Sequence, residues 1–157
     1  EAQLLTFSLE PIDRLHQIAT EHAAAPHLRL GQRVLADEMT ALVHGPQAAL
    51  AAAEAADLLF ASDPSTASHE AFVTLSAEIP SSRVALGDLD DPIALFQTAG
   101  LATSNGDARR SLAQRSFYAN GVQLDEESLL SGQKLVHDRY LLLRKGKKSY
   151  HLLEIFS

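Results

Sequence analysis

Apolar residues near the start of the chain recur at the spacing of an α-helix. The segment PIDRLHQIATEHAA has its apolar positions at Ile12, Leu15, Ile18 and Ala19, and side chains three or four residues apart share one helical face. Ser8 precedes this run as a candidate N-cap, and Pro26 follows it. The pattern predicts a first amphipathic helix over residues 11–24.

Two further helices follow in the same part of the chain. A second helix is predicted over LRLGQRVLADEMTALVHG, closed by Gly45 and Pro46, with its apolar face formed by Leu28, Val34, Leu35, Met39, Leu42 and Val43. A third, alanine-rich helix is predicted from about Gln47 to Phe60. We therefore expect an all-helical bundle over residues 1–68.

The periodicity weakens between residues 61 and 91. SDPSTAS is typical of a turn, EAFVTL fits a short helix or strand, and GDLDDP is acidic and rich in helix breakers. We place a linker at residues 69–91. A short helix is expected near 71–75, because so long a segment without any structure is unusual inside one compact domain.

The pattern changes again after residue 91. PIALFQTAG predicts a short helix ended by Gly100, and Ser104 opens a second one with Asp107 three residues later, the spacing of a capping box. FYANGVQL predicts a hairpin around Asn120-Gly121, and RYLLLRKGKKSYHLLEI a second with Gly146 at its tip. Residues 92–157 are therefore expected to form a small α+β domain, so the whole chain is α+β.

Charge divides the chain in the same place. Residues 1–91 hold four Arg and 14 acidic residues, a net charge of −10, whereas residues 92–157 hold nine Lys or Arg and six acidic residues, a net charge of +3. A cationic domain within a chain of net charge −7 is the part expected to face phosphate groups. The absence of cysteine excludes disulfides and thiolate metal sites, and with no spanning apolar segment we expect a cytoplasmic protein.

The cations of the second domain suggest a nucleic-acid surface, because such surfaces need several positive charges within one footprint. The alternative is ordinary solvated charge, or charge at a hairpin edge that prevents strand pairing. Tyr118 and Tyr150 either stack on bases or fill the core of a small sheet. The candidate cations are Arg109, Arg110, Arg115, Lys134, Arg144, Lys145, Lys147 and Lys148.

Catalysis and metal binding find little support in the sequence. His16, His22 and His27 lack the i, i+4 spacing of metal ligands, and no nucleophile motif or glycine-rich phosphate loop is present. We therefore expect no catalytic residue, metal or cofactor site within these residues.

Two motifs resemble known families. SNGDARRSLAQRSFYANGVQL is similar to the RNA-binding fold of the ribosomal protein S-four family, and RLGQRVLADEMTALVHG resembles the helix of bacterial tyrosyl-tRNA synthetases that ends in Leu-Val-His-Gly, here Leu42 to Gly45. Two departures stand out. Arg115-Ser116 replaces the usual Gly-Gly pair, and Gly31 stands where Ala is more frequent.

The resemblance implies the C-terminal tRNA-binding part of such an enzyme. Residues 1–68 would approach the anticodon stem, and residues 92–157 would hold the long variable arm of tRNA(Tyr). The catalytic region, which uses ATP and Mg²⁺ and forms the homodimer of this family, would lie upstream. Ser104, Asn105 and Asn120 join the cations above as candidate RNA-binding residues, with Arg29 and Arg33 in the helical domain. Alternatives are a free-standing RNA-binding protein of ribosome or RNA-modification type, and a protein-interaction module.

Overall fold

The computed structural model describes residues 6–59 and 63–156. Contacts divide the chain into an N-terminal unit, Glu1–Ala53, and a C-terminal unit, Glu54–Ser157. The chain is helical at its start and carries a mixed five-stranded sheet in its C-terminal unit, which confirms the predicted α+β class. The division falls within a helix, whereas the sequence placed the domain boundary near residue 68.

The N-terminal unit contains helices α1 (Ile12–Ala24) and α2 (Leu30–His44) and the first part of α3 (Pro46–Leu58). Leu15 and Ile18 are buried, and their partly buried neighbours are Leu30, Val34 and Leu35 of α2. Leu15, Ile18, Val34 and Leu35 lie on the apolar faces that the periodicity predicted, and Leu30 was not among the predicted positions. The other predicted positions are not all buried, since four of them are exposed: Ile12, Leu28, Leu42 and Val43.

The ends of these helices differ in part from the prediction. Pro11 is the N-cap of α1 and makes no side-chain cap bond, while the Ser8 hydroxyl accepts a hydrogen bond from the Glu10 N–H at 3.1 Å. The prediction of Ser8 as the cap was therefore wrong. α2 begins at Leu30 because Arg29 adopts a left-handed conformation with φ of 53°. The predicted end of the third helix at Phe60 lies outside the described residues.

The C-terminal unit is built around one sheet. Its strands are β1 (Ser81–Ala85), β2 (Phe117–Ala119), β3 (Val122–Gln123), β4 (Tyr140–Lys145) and β5 (Ser149–Phe156). Their order is β1-β5-β4-β2-β3, with β1 parallel to β5 and the other neighbours antiparallel. The predicted hairpins β2–β3 and β4–β5 are both present, and β1 was not predicted.

Helices cover both faces of the sheet. On the first face, which we call the α6 face, α5 (Pro92–Thr98) and α6 (Asn105–Ala113) pack against alternate strand residues such as Leu141 and Leu143. On the opposite α4 face, the end of α3 and α4 (His69–Glu78) pack against Tyr140, Leu142 and Leu152.

The segment predicted as a linker contributes directly to this unit. Phe72 of α4 is fully buried and its ring stacks on that of Tyr140, with the ring centres 5.0 Å apart. Val84 of β1 is buried on the α6 face. Residues 69–91 therefore supply a helix and a strand to the packed C-terminal unit, where the sequence suggested a short helix alone.

Candidate nucleic-acid interface

The first turn of α6 is fixed by local hydrogen bonds. The Ser104 hydroxyl accepts a hydrogen bond from the Asp107 N–H at 3.2 Å, as the sequence predicted. The Asp107 carboxylate accepts a hydrogen bond from the Thr103 N–H at 3.0 Å. In a standard capping box it would accept from the Ser104 N–H. Ser104 is thus part of the cap, while Asn105 is exposed beside it.

Arg109 and Arg110 lie on the solvent side of α6. Ala108, Ser111 and Leu112 of the same helix are buried, so the helix directs its small and apolar side to the core and both arginines outward. No carboxylate within the described residues lies in ion-pair range of either guanidinium. They are available to bind anions.

Other cations are paired with carboxylates of the same unit. Lys145 Nζ lies 3.1 Å from Asp107 Oδ2, and the pair is partly buried. The Arg115 guanidinium lies 3.7 Å from the Asp125 carboxylate and is exposed. Lys145 therefore has a clear internal role that the sequence did not indicate.

Asn120 supports the hairpin through both its backbone and its side chain. It adopts φ of 46° and Gly121 adopts φ of 82°, the pair of positive values that a type I′ turn requires. The Asn120 side-chain amide donates to the Lys134 carbonyl at 2.8 Å, and its oxygen accepts from the Leu142 N–H at 2.8 Å. The side chain is thus bonded within the protein at both ends.

Cations of the β4–β5 hairpin differ in how they are held. Arg144 is partly buried, with its guanidinium carbon 4.1 Å from the centre of the Tyr118 ring. Lys147 and Lys148 are exposed beyond it at the tip, where Gly146 has φ of 61°. Lys134 is exposed on the loop before β4.

The candidate cations of the C-terminal unit do not form one patch. Lys145 points to the α6 face with Asp107, and its neighbour Arg144 points to the α4 face, because successive strand residues alternate sides. Arg29 and Arg33 belong to the N-terminal unit and are exposed there, Arg29 at the start of α2.

Comparison with known proteins shows the family of the chain. Residues 72–153, more than half of the chain, match the model of the tyrosine–tRNA ligase SYY-like C-terminal domain. The chain belongs to the tyrosine–tRNA ligase family.

Relatives named tyrosine–tRNA ligase align with nearly the whole chain. The protein from Kineococcus radiotolerans is 39% identical over 149 residues, covering 93% of this chain and 35% of the relative. The protein from Anaeromyxobacter dehalogenans is 34% identical over 159 residues, and that from Flavobacterium johnsoniae is 29% identical over 163, each covering 99% of this chain and 38% of the relative. The chain thus spans little more than a third of the length of these tyrosine–tRNA ligases.

Arg115, one of the two departures noted in the sequence, ends the turn after α6 in a strained conformation. It adopts a left-handed conformation with φ of 52°. A non-glycine residue pays about 1 kcal/mol or more for this geometry. Two hydrogen bonds hold the turn, from the Ser116 N–H to the Ser111 carbonyl at 2.9 Å and from the Gln123 amide to the Arg115 carbonyl at 2.8 Å.

The role of Gln123 was not predicted from the sequence. Its amide also donates to the Tyr118 hydroxyl at 3.2 Å, so it fixes the ring over which Arg144 lies. The alternation of β2 and the Asn-Gly turn were sufficient to place Tyr118 opposite Gln123, but the pairing of Tyr118 with Arg144 depends on the register of β2 with β4.

The residues that the structure describes contain neither a metal-binding cluster nor a membrane-spanning helix. They contain no group of three or more His, Asp or Glu side chains that could hold a metal ion. None of their helices is both long enough and apolar enough to cross a bilayer.

Proposed function

We propose that this chain is the tRNA-binding part of a tyrosine–tRNA ligase and that its ligand is tRNA(Tyr). The observation that carries the proposal is the match of residues 72–153 to the C-terminal domain model of that family. Two arginines of α6 are exposed and have no ion-pair partner in the part of the chain that the structure describes. With the exposed tip lysines of the β4–β5 hairpin, they give this domain the cations that binding a phosphate backbone needs.

The chemistry of this part is binding and positioning. The C-terminal unit would hold the long variable arm of the tRNA, using lysines as point charges and arginines as donors of two hydrogen bonds. The N-terminal unit, with Arg29 and Arg33, would approach the anticodon stem. Together these contacts would place the acceptor end of the tRNA at a catalytic region.

The remaining properties in this proposal concern the longer protein. The relatives extend well beyond the region matched here, so the catalytic region would be supplied by the rest of the polypeptide. ATP, Mg²⁺ and the homodimer contact would belong to that region, and the protein would act in the cytoplasm.

Direct binding tests the proposal. Filter binding would compare tRNA(Tyr) with the same tRNA carrying a shortened variable arm, across a range of salt concentrations. We expect weak binding of the chain, a loss of affinity when the arm is shortened, and a log–log salt slope of roughly −0.7 to −0.9 per phosphate neutralised. Equal affinity for both RNAs would contradict the assignment to the variable arm, and no binding at low salt would contradict the function itself.

A further inference from the structure

Arg144 differs from three other arginines of the C-terminal unit. Arg83 and Arg139 both contact the Glu154 carboxylate, and Arg115 lies near Asp125. Within the described part of the chain, no carboxylate lies in ion-pair range of Arg144. It is a partly buried cation whose neighbours leave its charge uncompensated.

The position of the Arg144 guanidinium is defined by its neighbours. Arg144 lies directly opposite Tyr118 in the β2–β4 register, and opposite Tyr150 in the β4–β5 register. Its guanidinium carbon lies 4.1 Å from the centre of the Tyr118 ring, and Gln123 donates to the hydroxyl of that tyrosine. The Tyr150 hydroxyl donates to the Leu59 carbonyl, which fixes the second ring. A guanidinium that stacks on an aromatic ring still directs its N–H groups outward in its own plane, where they can donate hydrogen bonds to a ligand.

The space beside Arg144 decides which chemical group can bind. The cleft lined by Arg144, Gly121 and Tyr150 has a volume of about 20 Å³. This is room for one water molecule and not for a nucleobase. A ligand group therefore contacts the guanidinium at the mouth of the cleft. A tetrahedral anion can do so by accepting two parallel hydrogen bonds from the guanidinium N–H groups.

The surroundings favour an extended polyanion over a single ion. Leu59 and Tyr150 line both this cleft and a groove of about 720 Å³ whose other lining residues include Lys147 and Lys148. Arg144 and the two tip lysines therefore line adjacent depressions that have Leu59 and Tyr150 in common. An RNA backbone that contacts the tip can continue to Arg144.

We propose that Arg144 binds one phosphodiester group of the RNA backbone through two N–H donors, and that Tyr118 is the residue that positions it. The proposal rests on the proposed function, since it assigns a fixed phosphate site within the same tRNA contact. Lys147 and Lys148 contribute charge without fixed geometry, because lysine is a point charge on a flexible chain.

A charge-preserving substitution separates geometry from electrostatics. Arg144→Lys keeps the positive charge and removes the paired donors, so tRNA(Tyr) binding should weaken by about ten-fold, the cost of one lost charge-assisted hydrogen bond. The salt slope should not change, because the number of cations is the same. Arg83→Lys, at an exposed arginine of β1 that pairs with Glu154 and lies outside the proposed contact, is the matched control and should bind as the parent does. Lys148→Ala, in contrast, should lower the slope.

The role of Tyr118 is tested by a second pair of variants. Tyr118→Leu removes the ring that positions Arg144 and does not change the residue at position 144. It should weaken tRNA(Tyr) binding several-fold, and the salt slope should stay the same. Tyr118→Phe keeps the ring and loses only the hydroxyl that accepts from Gln123, so it should bind more tightly than Tyr118→Leu. Thermal melts of all variants would show that the effects are on binding, and the Tyr118 pair keeps the test valid if Arg144→Lys lowers stability.

The outcomes distinguish this inference from the proposed function. If the parent binds tRNA(Tyr) and Arg144→Lys binds equally well, the fixed phosphate site is wrong and the proposed function stands. The same conclusion follows if Tyr118→Leu binds as tightly as the parent. If the parent binds no tRNA at low salt, the proposed function fails and this inference fails with it.

Discussion

Lys145 and Asp107 form an ion pair that joins strand β4 to the first turn of helix α6. Lys145 Nζ lies 3.1 Å from Asp107 Oδ2 and 5.4 Å from the centre of the Phe117 ring. The same Asp107 carboxylate accepts the Thr103 N–H. The pair therefore fixes the helix that presents Arg109 and Arg110, so it can affect RNA binding without touching RNA.

This ion pair predicts a dependence of stability on acid. The hydrogen bond from the Thr103 N–H and the bond from Lys145 lower the pKa of Asp107 from 3.8 to about 2. Because the folded pKa is the lower one, the carboxylate stabilises the fold above pH 3.8, and this contribution is lost as the pH falls through 3.8 towards 2. Urea denaturation should show Asp107→Asn to be less stable than the parent at about pH 6, with the difference shrinking near about pH 2.5.

A control for this measurement is Glu126→Gln, since Glu126 is exposed and forms no ion pair with another described residue. It should follow the parent across the same range. A constant difference between Asp107→Asn and the parent at every pH would refute the assignment.

His151 predicts a second pH dependence in a higher range. Its ring is buried and its Nε2 lies 2.9 Å from the Ser82 hydroxyl, which links β5 to β1. Burial lowers the pKa of His151 below 6.5, so the neutral form is favoured in the fold. This stabilisation is complete above about pH 6.5 and is lost as the pH falls below it.

The test is urea denaturation between about pH 8 and pH 5. His151→Gln should reduce the loss of stability that the parent shows on acidification. His16→Gln, at an exposed position of α1, should leave it unchanged. The prediction fails if the parent is equally stable at both ends of the range.

Arg109 and Arg110 should act on binding and not on folding. Replacing both with Ala should weaken tRNA binding for every sequence variant and flatten the salt slope, because both side chains are expected to contact phosphates. Stability should barely change, since both side chains are exposed and unpaired within the described residues. Filter binding beside thermal melts tests this, and parental affinity at low salt would identify both arginines as ordinary surface charge.

Leu112 should contribute to the stability of the C-terminal unit and make no direct contact with RNA. Its side chain is 3% exposed and packs in the core cluster of the α6 face. Leu112→Ala removes buried methyl groups and leaves a cavity, which costs on the order of 2–5 kcal/mol. Chemical denaturation followed by circular dichroism should show this loss, with Gln114→Ala at the exposed end of the same helix as the control. A loss below about 1 kcal/mol would contradict the packing.

Asn120 should stabilise the β2–β3 hairpin in two ways, through its positive φ and through its side-chain hydrogen bonds. Asn120→Gly keeps a residue that tolerates positive φ but removes the bonds to Lys134 and Leu142, and should cost about 1–3 kcal/mol. Asn120→Ala removes the bonds and also strains the turn, so it should cost more. Equal stability of the Gly variant and the parent would show that the side-chain bonds contribute nothing.

Local signals in the sequence were sufficient for much of the fold. The Asn-Gly pair specified the β2–β3 turn, and Ser104 with its spacing to Asp107 specified the start of α6. Ser8 failed as a cap because Pro11 intervenes before the helix and the hydroxyl bonds within its own turn. Where the determinant lay within a few residues, the prediction was usually right.

Long-range partners could not be predicted in the same way. Strand β1 has no strong alternation, and its pairing partner lies about 70 residues later in the chain. The ion pair of Lys145 and the ring contact of Arg144 both depend on strand register and helix packing, so the sequence grouped all hairpin cations as equivalent. Their separate roles come from geometry that only the folded chain defines.

The parallel pairing of β1 with β5 sets an order of events during synthesis. Ser81 pairs with Leu152, and β5 is the one strand neighbour of β1 among the described residues. At translation rates of about 5–20 residues per second, β1 emerges several seconds before its partner exists. During that interval the backbone of β1 lacks its partner strand, so β1 is an unpaired strand edge until β5 has been synthesised.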